Sequence, residues 1–187
     1  LAESQLKLGM TLEANDTMQQ FDKITEQALE QGYAVVAIDA RYHGQRKVEG
    51  RSLRSIWNDL NYFGDKSGYE DMIRKTVIDN RTLLDWVATQ PDLDGSNVQV
   101  AGYSMGGQVA LLLAGIDSRV KDVVSIVPPY IEDTIASVAP KNVAHLISGN
   151  RVLMIVGEHD DVASEQENKR VFDSIQTSQK QLVSLDA

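Results

Sequence analysis

Apolar and polar positions along this chain alternate between two periods. From Met18 to Leu29 the apolar residues recur at helical spacing, as Met18, Phe21, Ile24, Ala28 and Leu29. Asp16 or Thr17 can cap that segment and Gly32 ends it, which predicts a helix over 17–31. Tyr33 to Ile38 is almost continuously apolar, the mark of a strand buried on both faces in a parallel sheet. Asp39 to Gly50 is a polar loop. Residues 50–68 hold Trp57, Tyr62 and Phe63 with little periodicity and read as an irregular excursion near one end of the sheet. Glu70 to Thr89 has Ile73, Val77, Leu84 and Val87 at helical positions, and Pro91 to Gly95 is a turn. Val98 to Gly102 is a second buried strand, followed by a helix rich in Gly, Ala and Leu over Met105 to Ala114.

The rhythm continues to the last residues. Val120 to Val127 is a strand stopped by Pro128 and Pro129. Short helices are expected at 131–139 and 142–148, a strand within Arg151 to Gly157, a helix over Ala163 to Ile175 and a strand from Gln181 to Leu185. Strands alternating with helices predict an α/β fold, three-layer and doubly wound, with a mostly parallel sheet. No repeat or low-complexity linker interrupts it. Residues 1–187 therefore read as a single domain with a small helical excursion at 128–150.

Composition narrows the chemistry. The 18 basic and 27 acidic residues give a net charge of −9, and no basic patch alternates with aromatics. That balance argues against nucleic acid and against an anionic membrane surface. No apolar run approaches the roughly 20 residues of a membrane span. Leu1 to Gly9 does not read as a leader, with no basic start followed by an apolar core. The cytoplasm is the expected location, although a cysteine-free chain fits any compartment. There is no cysteine, which excludes disulfides, thiolate metal sites and a cysteine nucleophile. The three histidines and the loop aspartates have no ligand spacing, so no metal is expected.

The candidate chemistry lies where the second buried strand ends. Gly102-Tyr103-Ser104-Met105-Gly106-Gly107 follows an apolar strand and opens a small-residue helix, the layout of a nucleophile elbow. Such a turn exposes a serine in a strained backbone conformation. Gly102 and Gly106 are expected to remove side chains that would clash across it, and Gly107 to let the helix lie close to the strands. The free N–H groups at the helix start, that of Met105 first, suit an oxyanion. The alternative is a Gly-rich turn with an incidental serine. The Gly-Lys-Ser/Thr of a phosphate loop is absent, and the glycine spacing fails the dinucleotide fingerprint.

Two more strand ends carry suggestive residues, and ligands of parallel sheets bind at such ends. After the last apolar strand but one comes Gly157-Glu158-His159-Asp160-Asp161. Asp160 is the leading candidate for an acid that orients a histidine, with Asp161 second. Its alternative role is a helix cap or turn residue. After the first strand comes Asp39-Ala40-Arg41-Tyr42-His43-Gly44. His43 precedes the serine, the wrong chain order for a base on this fold, and reads as a loop histidine bonded to backbone. Arg41 is expected to anchor the loop by pairing with Asp39, with a substrate contact as the alternative. His159 and His145 are weaker candidates for the base.

Together these motifs resemble the α/β-hydrolase superfamily over about residues 17–185. Gly102 to Gly107 resembles its elbow, Asp39 to Gly44 the Asp-x-Arg-x-His-Gly loop after its fourth strand, and Gly157 to Asp160 its acid loop after the seventh. Asp79, Leu84, Trp86, Pro91 and Asp94 ahead of the elbow are similar to the dienelactone-hydrolase and prolyl-peptidase-like esterase branches. The resemblance implies a Ser–Asp–His triad, no cofactor and a small-molecule ester as partner. It also implies a strand and first oxyanion loop before the helix at 17–31, and a histidine after the last strand. Neither is found in these 187 residues, so the fold is expected to be incomplete. The short stretch between Val127 and Val152, with Pro128, Pro129 and Tyr130, implies an accessible pocket and esters of short or moderate acyl chain. Thioester or peptide cleavage, and a non-catalytic binding or scaffold role, remain as alternatives.

Overall fold

The computed structural model describes residues 22–160 and 162–186. Its centre is a four-stranded, wholly parallel sheet in the order β1-β2-β3-β4. The strands are β1 (Val98–Tyr103), β2 (Val120–Ile126), β3 (Arg151–Gly157) and β4 (Lys180–Leu185). Among the described residues, five α-helices accompany it: α1 over 22–30, α2 (Leu53–Phe63), α3 (Ser67–Val87), α4 (Met105–Ile116) and α5 (Glu165–Ser174). A parallel sheet flanked by helices is the expected α/β class, and it is consistent with the three-layer α/β-hydrolase fold. Among the described residues, no helix is long and apolar enough to cross a membrane.

The core lies between the sheet and α4. From Val109 to Ala114 every residue of α4 is buried, as befits a helix that is apolar all round. Beneath it lie Val123 and Ser125 of β2, and Val152, Met154 and Val156 of β3 continue the same buried face of the sheet. Gln108 is the polar exception on α4 and is completely buried. A buried amide must find partners. Its Oε1 accepts from the Tyr69 hydroxyl at 2.6 Å and its Nε2 donates to the Val138 carbonyl at 2.7 Å. Burial raises the Tyr69 phenol well above its ordinary pKa, so it stays a neutral donor. α3 packs on α4 through Met72, Ile73, Val77 and Leu84.

Three expectations need correction. Residues 50–68 are not irregular: α2 occupies Leu53–Phe63. Ser52 and Ser55 form a reciprocal capping box at its start, and Gly64 at φ 67° ends it. Ile56 is its one fully buried residue, and the Trp57 ring packs tilted against Tyr69 with ring centroids 5.8 Å apart. Second, Tyr33–Ile38 belongs to no strand. Val35, Val36 and Ile38 are exposed, and the segment meets β1 only where Gln99 Nε2 donates to the Tyr33 hydroxyl at 2.7 Å among the described contacts. An apolar run needs a hydrogen-bonding neighbour to become a strand, and no described strand lies beside this one. Third, the stretch before β3 forms three 3₁₀ turns, Asp133–Val138, Pro140–Asn142 and Ala144–Leu146, rather than two helices. The helix expected over 17–31 is seen over 22–30; its first residues lie outside the described ones.

Candidate active site

The turn from β1 into α4 is built by close backbone approach. Ser104 N–H donates to the Ile126 carbonyl at 2.8 Å, and Ser104 C=O accepts from Gln108 N–H at 3.1 Å. A Cβ at Gly102 would lie 2.1 Å from the carbonyl carbon and oxygen of Gly106, so only glycine fits. One at Gly107 would lie 2.9 Å from Ser125 Oγ, whose hydroxyl donates to the Gly107 carbonyl. Gly106 differs from expectation: a Cβ there meets open space. The crossing of the two chains is so tight at Gly102 that Gly106 contributes backbone, not a missing side chain.

Ser104 itself sits at φ 51°, ψ −117°. That region is sparsely populated for a residue with a Cβ and costs on the order of 1–3 kcal/mol. The serine is exposed and stands at the N-cap of α4, yet its hydroxyl makes no capping bond. An ordinary N-cap serine turns its oxygen onto the N2 or N3 amide. Here the strained backbone turns Oγ away and leaves the helix-start amides, Met105 first, unused by it. Tyr103, the residue before, is half exposed.

The loop at 39–46 is pinned to α3. Arg41 pairs with Asp79, not with Asp39: Nε and Nη2 each donate to an Asp79 carboxylate oxygen at 2.7 Å. Arg46 reaches the same carboxylate at 2.7 Å. Burial opposes ionisation of Asp79, but the hydrogen bonds from Arg41 and Arg46 outweigh it and hold its carboxyl below the usual range. Asp39 is instead folded against Gly44, with Oδ2 accepting from Gln45 N–H at 2.8 Å. Arg41 N–H donates to Thr76 Oγ1, and Tyr42, at φ 66°, donates its hydroxyl to Asp71. His43 Nδ1 donates to the Arg41 carbonyl at 2.8 Å.

Asp160 lies beyond the end of β3, two strands from β1. At the usual spacing Ser104 and the acid loop are therefore about 10 Å apart across the sheet. Asp160 Oδ1 accepts from the amides of Val162 and Ala163 at 2.7 and 3.1 Å, which fixes the loop into α5. Its second oxygen accepts no hydrogen bond from the described residues. Asp161 lies outside the described residues.

A dienelactone hydrolase family model matches residues 12–184. The chain belongs to the dienelactone hydrolase family. No curated protein shows significant similarity to it. Among solved structures it is similar to acetyl xylan esterase 1 from a Thermoanaerobacterium species, at 24% identity and TM-score 0.68 over 87% of this chain. It is also similar to an esterase from Pyrococcus furiosus, at 19% identity and TM-score 0.63 over 88% of this chain. The chain spans 62% and 65% of the length of those two proteins. Both likenesses carry the fold.

In this member of the dienelactone hydrolase family, no described histidine side chain hydrogen-bonds to the side chain of Ser104 or Asp160. His159 is three-quarters exposed with Nε2 3.7 Å from Asp186 Oδ1, and His145 is exposed in the last 3₁₀ turn. An open groove of about 550 Å³ lies at the opposite end of the strands, walled by Gln99, Asp122 and Arg151, and shares no residue with the Ser104 turn. Sequence reasoning missed two things near the serine. One is the buried Gln108–Tyr69 pair. The other is Val127, a β-branched residue at φ 40° whose N–H donates to the Ile155 carbonyl at 2.8 Å.

Proposed function

We propose that this chain carries the nucleophile and the acid of a serine hydrolase that cleaves carboxylic esters of short or moderate acyl chain. The observation that carries the reading is the strained, uncapped Ser104 between β1 and α4, with its hydroxyl exposed at the end of the sheet. In this reading Ser104 Oγ attacks the ester carbonyl as a base supplied from outside the described residues, an imidazole on the Ser–Asp–His pattern, takes its proton. The Met105 N–H donates to the oxyanion, aided by the α4 dipole. The tetrahedral intermediate collapses and the alcohol leaves with the proton held by the imidazole. Water then repeats the sequence on the acyl-serine.

Asp160 orients that imidazole through its second oxygen while its first stays on the Val162 and Ala163 amides. A backbone separation of about 10 Å leaves room for one ring with a hydrogen bond of about 2.6–3.2 Å on each side. Asp39, Arg41 and His43 hold the neighbouring loop rather than touch substrate, because each is already committed to a protein partner. No cofactor enters the scheme. The match to the dienelactone hydrolase family supports it, as does the fold shared with two esterases.

A second reading is a binding protein on a hydrolase scaffold. In it Asp160 serves only as the turn residue that holds the loop into α5, through the Val162 and Ala163 amides. Turnover of p-nitrophenyl acetate and butyrate by the wild type and by Ser104→Ala separates the two. Loss of turnover in the variant supports the enzyme; equal rates in both would sink it.

A further inference from the structure

Gln108 is the only polar side chain in α4, and it lies one helical turn beyond Ser104. From Val109 to Ala114 the helix presents only valine, alanine and leucine, all buried. Packing of that kind holds a helix in place but specifies its rotation weakly, because apolar side chains of similar volume repack at small cost. Hydrogen bonds are directional, and Gln108 supplies them. Its side chain is completely buried, with the Tyr69 hydroxyl donating to Oε1 at 2.6 Å and Nε2 donating to the Val138 carbonyl at 2.7 Å. Tyr69 stands on α3 and Val138 ends the turn Asp133–Val138. One amide thus fixes α4 against two elements at once.

Stability alone does not call for this arrangement. A buried amide with both ends paired adds little over an apolar residue of the same shape. What it adds is a single allowed orientation. That orientation reaches the serine through backbone, since Gln108 N–H donates to the Ser104 carbonyl at 3.1 Å. The Ser104 hydroxyl makes no capping bond of its own. Where Oγ and the Met105 N–H point is therefore set by how α4 is seated. Turning the helix by about 20° moves its Cα atoms by about 0.8 Å. A misplacement near 1 Å costs on the order of 10²-fold in rate.

Resting on the proposed acyl-enzyme, we propose that Gln108 is a positioning residue for Ser104. Its amide, held between Tyr69 and Val138, fixes the rotation of α4 and so aims the nucleophile and the Met105 N–H at one point. Tyr69 acts in this only through Gln108.

The test is the rate constant for labelling of Ser104 by a fluorophosphonate, with kcat and KM for p-nitrophenyl acetate, in the protein with its imidazole base in place. Gln108→Met keeps the shape and removes both side-chain hydrogen bonds. It is expected to lower the labelling rate constant and kcat by about tenfold or more, with KM within about threefold and every molecule still labelled at long times. Tyr69→Phe is expected to cause a smaller loss, and none in the Gln108→Met background. A residue that only stabilised the fold would lower the labelled fraction and leave the rate constant alone, and that result overturns the assignment. So does a Tyr69→Phe effect of equal size in both backgrounds. If Gln108→Met does not fold, the Tyr69→Phe rate constant decides: a loss supports the assignment and an unchanged value overturns it. A wild type that neither turns over ester nor is labelled overturns the acyl-enzyme reading, and this inference with it. A labelled wild type with unshifted variants overturns the inference alone.

Discussion

Two turns, one after the 33–38 segment and one at the end of β1, hold a non-glycine residue at positive φ, and they treat its side chain in opposite ways. Tyr42, at φ 66°, donates its hydroxyl to Asp71, and its neighbours Arg41 and His43 are bonded to Asp79 and to backbone. Ser104, at φ 51°, is held by backbone hydrogen bonds and by glycines packed against it, while its own hydroxyl is left without a cap. The first turn spends its side chains on holding itself in place. The second is held by everything except its side chain. A strained residue whose side chain serves the fold is structural; one whose side chain is kept free of the fold is available for chemistry.

The sharpest way to break this comparison is at the two strained residues. In the protein with its imidazole base in place, Ser104→Ala is expected to lower ester turnover by about 10⁴-fold or more, with stability changed by no more than about 0.5 kcal/mol. Steady-state rates and urea melts read both quantities. Tyr42→Phe should do the reverse, leaving turnover within a few-fold and removing one hydrogen bond to Asp71.

Gly102→Ala probes how the serine turn is held. Its new Cβ would meet Gly106 backbone at 2.1 Å, so a loss of about 3 kcal/mol or more is expected. Gly106→Ala faces open space and should be tolerated within about 1 kcal/mol. Equal effects at the two glycines would contradict the packing described for the turn.

Asp79→Asn probes the other turn. It removes the carboxylate shared by Arg41 and Arg46 and should cost about 1–2 kcal/mol, because the pair is partly exposed. Ester turnover should fall only as far as the folded fraction does. A rate loss well beyond the stability loss would give the 39–46 loop a direct part in the chemistry.

The effect confined to the narrowest range of conditions is in acid. Asp117, at the end of α4, binds Arg119 and Arg81 and is itself buried. The Arg119 hydrogen bond leads in lowering its carboxyl to about 2. A lowered carboxyl stabilises the fold above the ordinary carboxylate pKa, and that stabilisation is lost as pH falls from about 4 toward 2. The shift corresponds to about 2 kcal/mol. Asp117→Asn should flatten this part of the stability–pH curve. An unchanged curve would place the acid sensitivity elsewhere, with Asp79 the next candidate.

Much of the fold was legible because it is local. The strand–turn–helix at 98–116 and the later alternation of strands and helices follow from short apolar runs and adjacent punctuation. The serine turn was legible for the same reason, since glycine spacing and flanking pattern lie within one segment. What sequence reading missed depends on distant partners. Arg41 finds Asp79 on α3, far along the chain, and nothing near Arg41 announces that choice over Asp39. Tyr33–Ile38 has a strand's composition without a strand beside it, and periodicity cannot supply the neighbour. α2 was missed although its signals were present, in the Ser52–Ser55 box and Gly64. Its single buried residue, Ile56, makes the apolar stripe too thin to read. Val127 gave no signal at all, since a valine ending a strand looks like any other.

The most direct test of the account is covalent. Incubation of the wild-type chain with a fluorophosphonate, followed by intact mass and peptide mapping, should give one adduct, on Ser104. Ser104→Ala should give none. Absence of an adduct, or an adduct on another serine, would contradict the claim that this turn frees Ser104 for nucleophilic chemistry.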